Sequence, residues 1–401
     1  MGAEATAERR ARAALTRLAE PGDLALAALV AAHGAEAVVE GLRRGDTFDR
    51  PQARGWQVRL AGYDPDRDLA AAERVGARLV CPGDAEWPGP LADLHGVVAL
   101  DRRLPQPGSR HAGRSDAGRN GGVPLALWAR GPGRLDELCA TSVAVVGSRA
   151  ASAYGTEVSG DIAYSVARRG VTVVSGAAYG VDGAAHRGAL AAQGHTVAVL
   201  ACGVDVSYPR GHASLLEHIA EDGLVLSEVP PGSAPTRIRF LVRNRLIAAL
   251  GRGTVVVEAA VRSGALNTAR WAERLLRPVM AVPGPVTSAM SAGAHHLVRE
   301  GIATLVTHGD EVLEDVSAPG DNLLPARHGE TRPHDHLDDL TLRVLEAVPA
   351  VQPVTADRIA RTAGMPVAEV QVKLARLLLQ DFVEQSADRW RLSATARTRM
   401  P

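Results

Sequence analysis

The spacing of apolar and polar residues changes three times along the chain. Residues 9–76 carry alanine and leucine at helical spacing, with breaks at Pro21-Gly22, Gly34 and Gly45. From about residue 141 to 316, short apolar runs alternate with amphipathic stretches. The spacing then becomes helical again and ends in two short β-like pieces. Apolar residues three and four apart indicate helices, and glycine or proline marks their ends.

These changes predict three domains and two connections. We expect a small helical domain over residues 1–80, an α/β domain over 124–316 and a C-terminal domain over 338–401. A connecting segment at 81–123 contains a glycine- and arginine-rich stretch, 102–122, in which periodicity disappears. Such a composition predicts a flexible insertion, and the polar, proline-containing residues 317–337 predict a linker.

The central domain contains seven apolar runs that read as strands, namely SVAVV, VTVVS, TVAVLA, LVLSEV, TVVVEA, PVMAVP and ATLVT. Continuous apolar runs are typical of parallel strands that helices cover on both faces. Strands that alternate with helices predict an extended Rossmann-like, doubly wound, mostly parallel α/β sheet. Ligands of such sheets bind beyond the carboxyl ends of the strands, so the loops after these runs are the candidate site.

The C-terminal domain reads as a winged helix. Helices are predicted over Leu340 to Val348, Thr355 to Thr362 and Pro366 to Leu379, followed by β-like pieces near Phe382 and Trp390. Three helices followed by a hairpin are the winged-helix pattern. The third helix would be the recognition helix, but its only basic residues are Lys373 and Arg376.

Composition restricts where a polyanion could bind. Forty-five basic residues balance 45 acidic ones, so any affinity must come from local clusters. All basic residues except Lys373 are arginines, which suit phosphate oxygens and base faces; a GC-rich genome is the alternative explanation. Three scattered cysteines predict neither a zinc site nor disulfides. Together with the absence of a long apolar run, they lead us to expect a cytoplasmic protein without a membrane anchor.

Two glycine-containing loops follow the first two strands of the central domain. Gly147-Ser148-Arg149 leads into one helix, and Ser175 to Gly183 leads into the next. Backbone N–H groups at a helix start attract anions, so both loops predict phosphate contacts; packing turns are the alternative. The spacing is not G-x-G-x-x-G, which argues against a dinucleotide. We expect Asp182 to cap its helix and His186 to be structural.

The segment from Arg237 to Arg277 has nine arginines against two acids. A cluster of this kind predicts nucleic-acid binding, although arginines paired with distant carboxylates would give the same composition. Ser263 to Thr268 forms a third candidate phosphate loop. Several such loops on one sheet edge suit a chain of phosphates, hence a polynucleotide. Phe240 is a candidate stacking platform, and a core position is the alternative.

Several blocks in this region resemble the DprA/Smf proteins in order and spacing. They are GSR at 147–149, SGAAYGVDGAAHRGAL at 175–190, AVLACGVDVSYP at 198–209, SEVPPG at 227–232, FLVRNRLIAAL at 240–250, VVVEAAVRSGALNTA at 255–269 and AVPGPV at 281–286. The resemblance covers about half the chain. Val181 stands where the family often has isoleucine, and residues 102–122 have no counterpart.

The resemblance implies a homodimer built from the α/β domain that binds single-stranded DNA without sequence preference and delivers it to the RecA recombinase during natural transformation. Single-strand-binding protein is a further candidate partner. No catalytic residue, cofactor or metal is implied. Transferred by motif, the DNA-binding positions are Gly147, Ser148, Arg149, Ser175, Gly176, Arg243, Asn244, Arg245, Ser263, Gly264 and Thr268.

Two other functions stay open at this stage. LOG-type nucleotide hydrolases have a similar sheet and a catalytic glutamate, but Glu258 follows its strand one position late, and a shift of one residue reverses the side of a strand. A transcription regulator that acts through the winged helix is the other alternative. A duplex-binding assay on residues 330–401 would test it.

Overall fold

The computed structural model describes residues 3–97, 120–318, 320–324 and 334–399. The chain divides into two compact units between residues 324 and 325. Most of the predicted insertion at 102–122 and the middle of the predicted linker at 317–337 lie outside the described residues.

The first unit begins with five helices, the first four of which share a core of alanine, leucine and valine side chains with Trp56. They are α1 (Ala3–Leu18), α2 (Leu24–His33), α3 (Ala35–Arg44), α4 (Ala53–Leu60) and α5 (Pro65–Arg74). Asp23 caps α2 and Asp64 caps α5, and Gly45 ends α3 in the left-handed conformation. Capping side chains and left-handed glycines satisfy backbone groups that helix ends leave unpaired.

A nine-stranded sheet forms the body of this unit. Its strands are β1 (Ala77–Val80), β2 (Leu127–Arg130), β3 (Ser142–Val146), β4 (Thr172–Ser175), β5 (Thr196–Leu200), β6 (Leu224–Ser227), β7 (Thr254–Val256), β8 (Val279–Ala281) and β9 (Thr304–Leu305). The spatial order is β1-β2-β6-β5-β4-β3-β7-β8-β9. Strands β3 to β9 pair in parallel, which confirms the predicted mostly parallel sheet, whereas β1 and β2 pair antiparallel.

Helices cover both faces of the sheet, as the apolar runs predict. The helices are α6 (Leu135–Ala140), α7 (Ala153–Arg168), α8 (Val181–Ala191), α9 (Ala213–Asp222), α10 (Arg237–Leu250), α11 (Gly264–Arg274), α12 (Ala292–Arg299) and α13 (Gly309–Val316). Ala144 and Val146 of β3 enter one core with α10 and α11. Val143 and Val145 enter another with α7 and α8, because successive side chains of a strand point to opposite faces.

The second unit has its own core and is a winged helix, as predicted. In chain order its elements are α14 (Asp339–Glu346), β10 (Val354–Thr355), α15 (Ala356–Ala363), α16 (Val367–Leu379), β11 (Val383–Ser386), β12 (Arg389–Leu392) and α17 (Ala394–Arg399). The three strands form one small sheet in the order β10-β12-β11. Gly364 ends α15 in the left-handed conformation. The buried core side chains all come from residues 337–396.

Across the described ranges, no single helix has the length and apolar composition needed to cross a membrane. The adjacent helices α2 and α3 meet those criteria only when taken together, and they are bent by 106°.

Candidate nucleic-acid interface

The order of the sheet strands defines a switch point between β3 and β7. The chain proceeds from β3 to β4, β5 and β6 on one side, and then returns to place β7, β8 and β9 on the other. Ligands of open α/β sheets bind at the carboxyl ends of the strands near such a point. The predicted loops after β3, β4 and β7 all lie on this edge, which we call the carboxyl rim.

The loop after β3 binds a carboxylate of the protein itself, that of Glu258. The Glu258 carboxylate accepts hydrogen bonds from the Ser152 backbone N–H at 2.9 Å and its hydroxyl at 2.6 Å, at the start of α7. A Cβ on Gly155 would collide with this carboxylate, and a Cβ on Gly147 would collide with the Glu258 carbonyl oxygen. A carboxylate stabilises a helix N-terminus as a phosphate would. The prediction that the α7 start holds phosphate is thus corrected, since Glu258 occupies it.

The loop after β4 curls around a second internal carboxylate, that of Asp182 in the first turn of α8. Backbone N–H groups of Ala178, Gly147 and Gly176 and the nearby guanidinium of Arg243 favour its charged form. Burial opposes them and is the larger effect, so the pKa of Asp182 is raised. The expectation that Asp182 caps α8 is corrected, because the N-cap residue is Gly180 and no side chain makes a cap hydrogen bond.

Ser175 and Ser148 are both buried beneath the rim, and the hydroxyl proton of Ser175 is already used. Ser175 is fully buried, and its hydroxyl donates to the Val145 carbonyl at 2.6 Å. Ser148 is 8% exposed, and its hydroxyl accepts from the Ala150 N–H. This corrects the expectation that Ser175 donates to a phosphate, because its proton is already used between two strands.

Arg243 lies just beneath the rim and is 6% exposed. Its guanidinium donates to the carbonyls of Gly176, at 2.8 Å, and Val199, while its Nε has no partner in the described structure. Burial lowers the pKa of Arg243 to about 10, against the attraction of Asp182. No carboxylate of the described residues forms an ion pair with Arg243, so a positive charge lies close under the surface without a salt bridge.

Exposed aromatic and cationic groups lie above Arg243. The Arg149 guanidinium carbon is 4.6 Å from the centre of the Phe240 ring, and Tyr208 contacts that ring with centroids 5.4 Å apart. Arg149, Tyr208 and Tyr179 are exposed, and Phe240 is half-buried. Phe240 thus lies at the rim. The sequence reading missed Tyr208 and Tyr179, although both stand in the quoted blocks after β5 and β4.

The start of α11 is the most open of the three predicted loops. Ser263 caps the helix by accepting from the Ala265 N–H at 3.2 Å, and Gly264 is exposed with nothing near the position of a Cβ. Asn244 donates to the Gly264 carbonyl at 3.2 Å, so α10 holds this loop. Thr268, one turn further, is 2% exposed and does not reach the surface.

Arg245 is not at the rim, which corrects its prediction as a DNA contact. It is fully buried and pairs with Glu228 at 2.7 Å, and its Nε donates to the Gly122 carbonyl. Glu228 also accepts from the Gly22 N–H at 2.8 Å. Arg245 therefore ties the sheet to the N-terminal helices.

The remaining arginines of the 237–277 segment are spread over several surfaces. Arg239 pairs with Glu20 at 2.9 Å, and Arg277 pairs with Asp93 at 3.0 Å. Arg252 is exposed, but it precedes β7 and so lies at the opposite, amino edge of the sheet. Of the arginines in this segment, Arg237 and Arg262 lie at the rim, where Arg149 adds a third positive charge. Only part of the predicted charge excess is therefore found there.

Two residues weighed for catalysis have structural surroundings. His186 is fully buried, and its Nδ1 donates to the Thr196 hydroxyl, which itself donates to the Val173 carbonyl. Burial, with the neighbouring positive charges, lowers the pKa of His186 to about 3, so the ring is neutral. Glu258 is 2% exposed and hydrogen-bonded at the start of α7. Among the described residues, no group of three or more His, Cys, Asp or Glu side chains could hold a metal.

Comparison with known proteins agrees with this architecture. Residues 118–317 match the family model described as DNA recombination-mediator protein A, and residues 328–389 match the DprA winged helix domain. The putative DNA processing protein DprA of Mycobacterium tuberculosis is 46% identical over 387 residues, 96% of this chain and 94% of its own. Protein Smf of Escherichia coli is 39% identical over 65% of this chain and 69% of its own.

A solved structure shows the same fold. The crystal structure of DNA processing protein A from Streptococcus pneumoniae is 29% identical and superposes with a TM-score of 0.59, covering 76% of this chain and 96% of that one. The matches extend over the sheet, its loops and the winged helix. The chain therefore belongs to the DprA/Smf family of DNA processing proteins.

Proposed function

We propose that this chain binds single-stranded DNA along the carboxyl rim and passes it to the RecA recombinase without catalysing a reaction. The observation that carries the proposal is the Arg149–Phe240–Tyr208 group at the rim, near the buried charge of Arg243. Aromatic rings and guanidinium planes stack on bases of any sequence, and arginines neutralise phosphates. Stacking requires unpaired bases, which favours a single strand over a duplex.

The contacts that we propose differ from the motif list in three respects: Phe240 and Tyr208 are added, some residues support the rim from beneath, and others are left out. Arg149, Phe240, Tyr208 and the open start of α11 at Ser263-Gly264 would touch the strand directly. Gly147, Ser148, Gly176, Arg243 and Asn244 would shape the rim from beneath. Ser175, Arg245 and Thr268 are left out, because their side chains are buried and do not reach a ligand.

Binding of oligo-dT measured against salt concentration tests the site. Arg149→Ala removes one phosphate-neutralising charge and the cation above Phe240. We expect it to weaken binding about tenfold and to reduce the salt slope by about one. Arg252→Ala is the matched control, since Arg252 is also exposed but lies at the amino edge. Equal effects of both substitutions, or none from Arg149→Ala, would remove the proposed site.

The transfer step is part of the proposal and rests on the family resemblance. We propose that a homodimer presents two strand segments to RecA in the cytoplasm, during natural transformation, and that single-strand-binding protein is a further partner. RecA filament assembly on DNA coated with single-strand-binding protein should accelerate when this protein is added. Arg149→Ala should abolish most of that acceleration, while Arg252→Ala should retain it.

A further inference from the structure

The third helix of the winged helix, α16, carries an apolar stripe on its solvent face. The stripe consists of Ala368, Val372, Ala375 and Leu379, all exposed, with Val372 at 71% and Leu379 at 88%. Val370, Leu374 and Leu377 are fully buried in the core of the unit. At 3.6 residues per turn, the stripe lies about half a turn around the helix from these core residues. Apolar side chains of this size on a helix surface mark an interaction site when they are contiguous.

The same helix is poorly suited to reading DNA. Its basic residues Lys373 and Arg376 both pair with Asp338, at 3.0 and 3.3 Å. Lys373 also donates to the Thr341 hydroxyl. Glu369, by contrast, is exposed and has no ion-pair partner among the described residues. A protein surface is therefore a better partner for this face than a polyanion.

The stripe is complementary to a second copy of itself. Its positions are four, three and four residues apart, the spacing of a coiled-coil seam. If two α16 helices run antiparallel about a two-fold axis, Ala368 faces the partner's Leu379 and Val372 faces the partner's Ala375. Each large side chain then meets a small one. An isologous interface requires such reciprocal contacts, in which each residue pair occurs twice.

The charges that flank the stripe fit the same register. In the antiparallel pair, Glu369 lies beside the partner's Arg376, and Arg376 lies beside the partner's Glu369. Both side chains point to solvent in one copy, and Arg376 remains 55% exposed beside Asp338. Opposite charges beside an apolar seam set the orientation of paired helices.

We propose that two copies of this protein pair through α16 of their winged helices, in an antiparallel arrangement centred between Val372 and Ala375. This use of the helix is independent of DNA binding at the rim. It would join two chains through their C-terminal units.

Thiol crosslinking of the full chain tests the pairing. The native Cys81, Cys139 and Cys202 are buried, so an introduced surface cysteine is the reactive one. Under the proposed register, two copies of residue 372 lie three residues apart, about 4.5 Å along the axis. Val372→Cys treated with a short bismaleimide should therefore give a covalent dimer. Val351→Cys is the matched control, because Val351 is 69% exposed in the same unit but outside the stripe.

Charge reversal makes the test specific for the register. In the Val372→Cys background, Glu369→Arg should reduce the initial crosslinking rate about fivefold or more, and adding Arg376→Glu should restore most of it. Dimerisation through the α/β unit alone would raise crosslinking at residues 351 and 372 alike. Equal rates at these two positions, or a lack of response to Glu369→Arg, would overturn the proposal, even if oligo-dT binding at the rim were intact.

Discussion

Gly176 and Gly264 were both assigned to DNA binding by motif, but their surroundings differ. A Cβ on Gly176 would lie 2.4 Å from the Arg243 guanidinium, whereas a Cβ on Gly264 meets nothing within 4 Å. We expect Gly176→Ala to displace Arg243 and to lower the free energy of unfolding by about 1–3 kcal/mol. Gly264→Ala should change it by less than about 0.5 kcal/mol. Urea unfolding of the two variants measures the difference.

Oligo-dT binding separates the two glycines further. A methyl group at residue 264 projects over the open start of α11, where we propose that a phosphate approaches the backbone. Gly264→Ala should therefore weaken binding severalfold while the protein stays fully folded. Unchanged affinity in this variant would exclude the α11 start from the contact surface and leave the Arg149 group as the site.

His186 gives a pH dependence of stability. Its pKa is about 3 in the folded protein and 6.5 when unperturbed, so below pH 6.5 the unfolded chain binds a proton that the folded chain does not. The free energy of unfolding should therefore fall by up to about 1.4 kcal/mol per pH unit as the pH drops below 6.5. His186→Asn, whose amide can donate to Thr196 in place of Nδ1, should remove this component. His218→Asn, on an exposed histidine, should not.

At the residue scale, the sequence predicted the position of the loops on one edge of the sheet more reliably than the surroundings of their side chains. Arg243 and Arg245 are two residues apart in one helix, yet one lies under the rim and the other pairs with Glu228. The partner of Arg245 comes from the loop after β6, and only the tertiary structure shows that it faces α10. For the same reason, the sequence did not predict that the carboxylate of Glu258 lies at the start of α7, or that the loop after β4 curls around that of Asp182.

Helix α7 depends on the Glu258 carboxylate at its first turn. Glu258→Gln removes a negative charge from the helix start and weakens the hydrogen bonds from Ser152. Charge-assisted bonds and the helix dipole together make this worth about 1–3 kcal/mol of unfolding free energy. Glu157→Gln is the control, because Glu157 is exposed on the same helix. A substitution at Glu258 that left the urea midpoint unchanged would contradict this capping role.

All seven predicted strands are present as β3 to β9, because apolar runs between helices carry a strong signal. Strands β1 and β2 were not predicted. Each has only four residues without clear alternation, and they pair with one another across about fifty residues of chain. Since β1 lies within residues 1–80, the sheet begins inside the range predicted as a helical domain. Antiparallel pairing between short strands that are far apart in the sequence produces no clear pattern in the local sequence.

At the scale of the whole molecule, the N-terminal helices belong to the sheet unit more closely than the sequence indicated. Arg17 donates to the Pro231 carbonyl at 3.0 Å, Arg239 pairs with Glu20, and Glu228 binds the Gly22 N–H. The winged helix, by contrast, has a separate core and forms its own unit. This division allows the two units to be tested separately.

A chain that ends at Leu324 should keep the oligo-dT affinity and salt slope of the full protein within about twofold, because every proposed rim contact lies in the first unit. Residues 330–401 alone should fold, since their core is complete, but should bind duplex DNA only weakly. Lys373 and Arg376 are already paired with Asp338, and few unpaired cations remain on α16 to release counterions from DNA. Gel-shift titration at 50 and 200 mM salt measures both. Tight, salt-sensitive duplex binding by residues 330–401 would mean that α16 reads DNA after all, and the stripe centred on Val372 would then need another explanation.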